Sequence, residues 1–296
     1  MRHVRRVFSH PTRVAESDFL RREIAQRMHE RLALIKIQPR QVLDAGCGEG
    51  ADLPLLQQYY TDAQVLGIDA SPAMLDIARK RQADASSSMQ RLLSKLLPAS
   101  LAAQARGASV LCADFAQLPL APNSADLVWS NLALHWHPQP DRVFAEWRRV
   151  LRVDGLLMFS CFGPDTFKEI RAAFAEADST PHALPFVDMH DFGDMLVNAG
   201  FSTPVMDMEV ITVTYSSVEK LLADVRAWGG NPLADRQKGL TGRHAWKRMR
   251  DALEGKRRSD GKIPLTFEII YGHAFRPVPK TTSSGESIIR LDLRKR

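Results

Sequence analysis

Cysteine is scarce in this chain, with only Cys47, Cys112 and Cys161. An odd, scattered set builds no disulfide framework and offers no paired metal-ligand spacing, so a disulfide-stapled domain and a zinc module are excluded. Long apolar runs are missing too. None reaches the roughly 18 to 20 residues that a membrane span needs, and the opening MRHVRRVFSHP lacks the apolar core of a secretory signal. It is Arg-rich, as a transit peptide would be, but it has no Ser-rich stretch and acids arrive early at Glu16 and Asp18. These absences point to a cytoplasmic protein. Basic residues interleaved with stacking aromatics are also absent, so nucleic acid is not an expected partner.

What the chain does have suits a sizeable buried core: 45% of its 296 residues are hydrophobic and 25% charged. The net charge of +6 gathers at the N-terminus (Arg2, Arg5, Arg6, Arg13, Arg21, Arg22), in the run Arg243 to Arg258, and in the tail LRKR. Such clusters are either solvated surface or a docking face for an acidic partner.

The spacing of Phe19, Leu20, Ile24, Met28 and Leu32 predicts a helix over 17–34. QVLDAG then reads as a buried strand, a glycine turn leads into the helix ADLPLLQQYY, and AQVLGIDAS is a second strand ending on Asp69. Ser71 and Pro72 suit the N-cap and first position of the next helix. ASVLCADF, SADLVWSNLAL and GLLMFSCF read as further strands, with helical PDRVFAEWRRVLR among them. Strands alternating with helices imply crossover units and a parallel sheet. Later, DFGDMLVNAGF reads as a helix capped by Gly200, DMEVITVTY as a strand, SSVEKLLADVRAWG as a helix and PLTFEIIYGHAF as a last strand. The expected organisation is an N-terminal helical segment over 1–38, a main domain over 39–276, and a basic tail over 277–296. The main domain carries an Ala/Ser/Leu-rich insertion near 83–107 and a basic helical insertion near 217–262.

The most specific stretch is VLDAGCGEG. Gly46, Gly48 and Gly50 follow a strand, where backbone without side chains can approach a ligand closely. Asp69, about twenty residues on, is placed to accept both hydroxyls of a ribose. This much also fits a dinucleotide-dependent oxidoreductase. Asp44 argues against one, because at the mouth of the strand it would repel a pyrophosphate and attract an ammonium group. Asp114, closing the next strand beside Phe115, is placed to accept from an adenine amine. Together these describe an adenosine joined to an amino acid.

VLDAGCGEG, GIDAS, CADF and SNLALHW, followed by LRVDGLLMFSCF, resemble the successive motifs of class I S-adenosylmethionine-dependent methyltransferases over about residues 40–163. That resemblance implies a doubly wound, mostly parallel seven-stranded Rossmann-like sheet with helical insertions, and S-adenosylmethionine as cofactor. It would set Asp44, Gly46 and Gly48 along the methionyl part and Asp69 on the ribose. Met74, Asp114 and Phe115 would face the adenine, and Asn131 and Leu132 would lie near the sulfonium. No metal is implied.

The VFSHP entry with its helix, SNLALHWHPQPDRVFAEWRRVLRVDGLLMFSCFG and the ending PLTFEIIYGHAF resemble more narrowly the BioC-like malonyl-(acyl-carrier protein) O-methyltransferases of biotin synthesis. These esterify a malonyl carboxylate, and an acidic carrier protein would then meet the basic helices. HPTRVAESDF lacks the tyrosine that such chains usually carry in this segment. SDFLRREIAQRMHERL, GPDTFKEIR and HALPFVDMHDFGDMLVNAGF also resemble arginine-hydroxylating assembly factors of respiratory complex I, and another small acceptor stays open. His135 and Trp136 stand where an acceptor approaches in this fold; Arg171 and Arg226 are candidate holders of an acidic one. The sequence fixes no oligomeric state.

Overall fold

The structure is a computed structural model that describes residues 2–9, 18–85, 108–229, 233 and 242–279. One seven-stranded sheet organises it, in the order β3-β2-β1-β4-β5-β7-β6. β1 (Gln41–Ala45), β2 (Gln64–Asp69), β3 (Ser109–Cys112), β4 (Ala125–Ser130) and β5 (Leu151–Phe162) run parallel to one another. β7 (Ile263–Phe275) enters antiparallel between β5 and β6 (Ser202–Tyr215). The chain moves outward from β1 to β3, then returns to β4 on the other side. That reversal opens a crevice at the carboxyl ends of β1, β2 and β4, the place where open α/β sheets bind ligands.

Helices cover both faces because their apolar positions recur at helical spacing. α1 (Arg2–Phe8) precedes α2 (Asp18–Leu32), whose Leu20, Ile24, Met28 and Leu32 are fully buried in the main core, so this segment is part of the domain. Phe19, read with that stripe, instead faces solvent at 53% exposure. α3 (Leu53–Tyr59) follows the glycine turn. α4 (Pro72–Ala85) begins as expected: the Ser71 hydroxyl accepts from the Met74 N–H, with Pro72 at the first helical position. α5 (Pro140–Val150) buries Val143, Phe144, Trp147 and Val150, and burying each large side chain stabilises by roughly 1.5–3 kcal/mol.

α6 (Lys168–Ala175) and α7 (Met189–Asn198) lie beyond β5. Gly200 ends α7 at φ +83°, with its N–H on the Val197 carbonyl and that of Phe201 on the Leu196 carbonyl. This is the paired bonding of a left-handed helix stop. α8 (Val218–Ala227) and α9 (Arg243–Glu254) fall within the basic insertion expected near 217–262. The expected insertion near 83–107 begins as the last turn of α4 to Ala85, and its remainder lies outside the described residues. So does the tail from residue 280. No helix among the described residues is long and apolar enough to cross a membrane.

Candidate active site

The glycine turn is fastened to β2: the Gly46 and Cys47 N–H groups both donate to the Ile68 carbonyl, at 2.8 and 3.0 Å. At Gly46, φ is +84° and an added Cβ would sit 2.3 Å from the Cβ of Ala133. Only glycine fits there. At Gly48, by contrast, an added Cβ would meet only the Met74 methyl at 3.5 Å. The turn therefore presents bare backbone to a cavity of about 110 Å³ that Asp44, Gly46, Gly48, Asp69, Met74 and Phe115 all line.

The floor of that cavity is acidic. Asp44 is buried, and its Oδ2 has no hydrogen-bond partner among the described residues. Burial first, then repulsion from Asp52 and Asp69, pushes its carboxyl well above the usual range. An orphaned buried carboxylate of this kind fits an ammonium group. Asp52, which the sequence reading passed over, also lines the cavity and accepts a 2.8 Å bond from the Trp129 indole N–H. Asp69 takes bonds from the backbone N–H groups of Gly48 (3.0 Å) and Ser71 (2.7 Å). Burial raises its pKa, and these bonds offset that rise only in part. They orient the carboxylate and leave further lone pairs for hydroxyl donors.

The adenine end differs from expectation. Phe115 and Met74 line the cavity, and Asp114 does not. One Asp114 oxygen accepts from the Ala116 N–H, and the other is held 3.1 Å from the Arg5 guanidinium. α1 brings that arginine: the Ser71 hydroxyl donates to the Phe8 carbonyl, and Phe8 packs edge-on against Trp136 at 5.3 Å. Val4, Arg5 and Phe8 become part of the wall. A seven-residue basic helix carries too little periodicity to be read from sequence.

Asn131 and Leu132 lie on the opposite wall. Leu132 holds φ +50°, kept there by its N–H on the Ser160 hydroxyl and carbonyl. Asn131 accepts from the same hydroxyl and donates to the Arg21 carbonyl. His135 and Trp136 line this end with Phe162, Trp228 and Arg21. The Arg21 guanidinium lies 5.1 Å from the centre of the Trp228 ring. His135 Nδ1 accepts, at a long 3.4 Å, from the Phe162 N–H, which assigns the ring proton to Nε2. That Nε2 is buried with no partner among the described residues. Burial, with Arg21 adding to it, lowers the His135 pKa to about 3.

Arg171 does not line this cavity but a separate one of about 550 Å³ beside α6. Its guanidinium donates to the Thr166 and Pro164 carbonyls and braces the loop before α6. Arg226 lies exposed on α8, outside the cavity lining. Arg21, among the basic residues of the N-terminus in the sequence, joins Arg5 in lining the cavity, at the end walled by His135, Trp136 and Trp228. Its position follows from the packing of α2 on the sheet, which no local motif encodes.

An acidic floor, a bare glycine turn and an oriented carboxylate at the switch point of this sheet define a class I S-adenosylmethionine-dependent methyltransferase. Residues 43–159 match the family model described as a methyltransferase domain. The solved YcgJ protein of Bacillus subtilis shares the fold, with a TM-score of 0.55 and 14% identity over 85% of this chain and 98% of that one. Curated relatives are nearer. The malonyl-(acyl-carrier protein) O-methyltransferase of Laribacter hongkongensis is 48% identical over 88% of this chain and 84% of its own length. That of Gallionella capsiferriformans is 45% identical over 94% of this chain and 91% of its own. The chain belongs to this family of O-methyltransferases.

Proposed function

We propose that this protein methylates the free carboxylate of a malonyl group carried on acyl-carrier protein, giving the methyl ester that opens the route to biotin. The observation that supports it is a pair of donors in an otherwise aromatic wall: Arg21 and the unpartnered His135 Nε2–H, beside Asn131 and Leu132. A cation and an N–H donor fit an anionic acceptor.

When bound, S-adenosylmethionine would supply a sulfonium methyl for in-line transfer to a carboxylate oxygen, with sulfur keeping the electron pair of the broken sulfur–carbon bond. A carboxylate is already the nucleophile, so no proton has to move. His135, held neutral by its lowered pKa, acts as a donor that orients the acceptor and not as a general base. Arg21 holds the anion, and the aromatic wall keeps water out. Asp44 would take the amino group of the cofactor and Asp69 its ribose, while Phe115 and Met74 would flank the adenine.

The carrier protein would dock on α9, where Arg243 and Lys247 are exposed. Offering wild-type enzyme malonyl- and malonamyl-carrier protein tests the anionic acceptor. Methyl from labelled cofactor should enter only the malonyl form; equal labelling of the neutral amide would refute the carboxylate assignment.

A further inference from the structure

The cofactor cavity continues past its two donors. Trp136, Phe162 and Trp228 line both it and a second cavity of about 20 Å³. That one shares His182, Ala183, Leu184 and Phe186 with a third, of about 550 Å³, beside α6. The three adjoin in series through these shared walls, with Arg21 and His135 lining the first. The middle cavity holds about one water's worth of space and is the neck. There the Phe186 ring lies 5.7 Å from Phe162 and, edge-on, 5.7 Å from His135.

We propose that this series of cavities is the channel for the flexible thioester arm of the acceptor, of phosphopantetheine type, entering beside α6 and presenting its terminal carboxylate to Arg21 and His135. The inference rests on the carboxylate-methylation reading. A carboxylate carried on a folded protein reaches a buried donor pair only at the end of a slender chain. The neck is walled by apolar side chains such as Ile170 and Val225, which suits the methylene stretches of that arm. The mouth is mostly apolar, walled by Phe174, Pro181 and Leu184, but carries one polar cluster, Asp178, Thr180 and His182 bonded to one another at 2.6 to 3.0 Å, which suits the amides of that arm. The mouth also adjoins the basic helix: Arg248 on α9 donates to the Glu176 and Ala177 carbonyls, next to mouth residues Ala175 and Asp178. A carrier seated on α9 therefore has its arm at the opening. Passage requires the Phe186 ring to swing out of the neck.

The test uses the whole enzyme and three acceptors of rising arm length: malonyl-N-acetylcysteamine, malonyl-pantetheine and malonyl-carrier protein. In wild type, kcat/KM for malonyl-pantetheine should exceed that for the short thioester by about tenfold or more, because remote binding energy is used along the channel. Ala183→Phe and Val225→Phe, on different segments of the neck, should bring that ratio close to one while S-adenosylmethionine affinity stays unchanged by calorimetry. The cofactor affinity checks each variant's fold, and either variant that keeps it decides the matter. A ratio preserved in such a variant, or already near one in wild type, overturns the channel and leaves the carboxylate reading standing. Cofactor binding with no methylation of any of the three by wild type overturns both.

Discussion

At the scale of single residues the site is built from groups held in states they would not choose in water. Asp44 is the clearest case, since burial and two neighbouring acids make its ionised form unfavourable until a cation arrives. Its folded-state pKa is raised, so the folded chain holds that proton more tightly than the unfolded one. The ligand-free protein consequently loses stability as pH rises from about 4 toward the folded value. Asp44→Asn should act in opposite directions on the two states. Cofactor affinity, measured by calorimetry, should fall about 10- to 100-fold, while the ligand-free urea midpoint at neutral pH rises, by about 1 kcal/mol in stability. A loss of both would mean that Asp44 serves the fold and not the ligand.

His135 gives the mirror-image case. Its pKa is lowered from 6.5 to about 3, so the unfolded chain binds the extra proton between those values. Its neutral-state contribution is complete above about pH 6.5 and is lost as pH falls toward 3. His135→Phe should flatten that acid-side decline in urea midpoint. For catalysis with the cofactor saturating, kcat/KM for the acceptor should be level from about pH 6 to 9, since neither the acceptor carboxylate nor His135 changes charge there. A limb titrating near 6.5 would instead give His135 the role of base.

Among the elements, the ones with strong local chemistry were legible in the sequence. β1 with its glycine turn, β2 ending on Asp69, the Ser71–Pro72 start of α4 and the Gly200 stop of α7 each carry a backbone requirement that few residue types meet. Elements defined by what they touch were not legible. α1 has no apolar stripe of its own, β7 reads like any strand and gives no sign that it inserts antiparallel between β5 and β6, and Arg21 and Arg171 look alike until the helices are docked. α1 carries a prediction of its own, because Arg5 holds an oxygen of Asp114, the residue that the resemblance sets against the adenine amine. An exposed pair of this kind is worth about 0–1 kcal/mol, so Arg5→Ala should leave cofactor affinity equal or up to about threefold tighter. Asp114→Ala should loosen it by about tenfold. Weaker binding on Arg5→Ala, seen by calorimetry, would show that the arginine itself serves the ligand.

For the whole molecule, the proposed docking of a carrier protein falls to the basic residues of α9. The run Arg243 to Arg258 is not uniform in this respect. Within α9, Arg248 is committed to the carbonyls of Glu176 and Ala177, and Arg250 to Glu219, which leaves Arg243 and Lys247 as the better docking charges of that helix. Reversing those two to Glu should raise KM for malonyl-carrier protein about tenfold at low salt, with the difference shrinking as salt is added. Malonyl-pantetheine should be used as before, and equal loss on both acceptors would dismiss the docking face. The central claim, that this fold directs a sulfonium methyl onto a carrier-bound carboxylate, is tested most directly by intact-protein mass of malonyl-carrier protein after incubation with enzyme and S-adenosylmethionine. A gain of one methyl group, absent when acetyl-carrier protein is offered, is the predicted result. No gain, with cofactor binding confirmed in the same preparation, would contradict it and favour the assembly-factor resemblance instead.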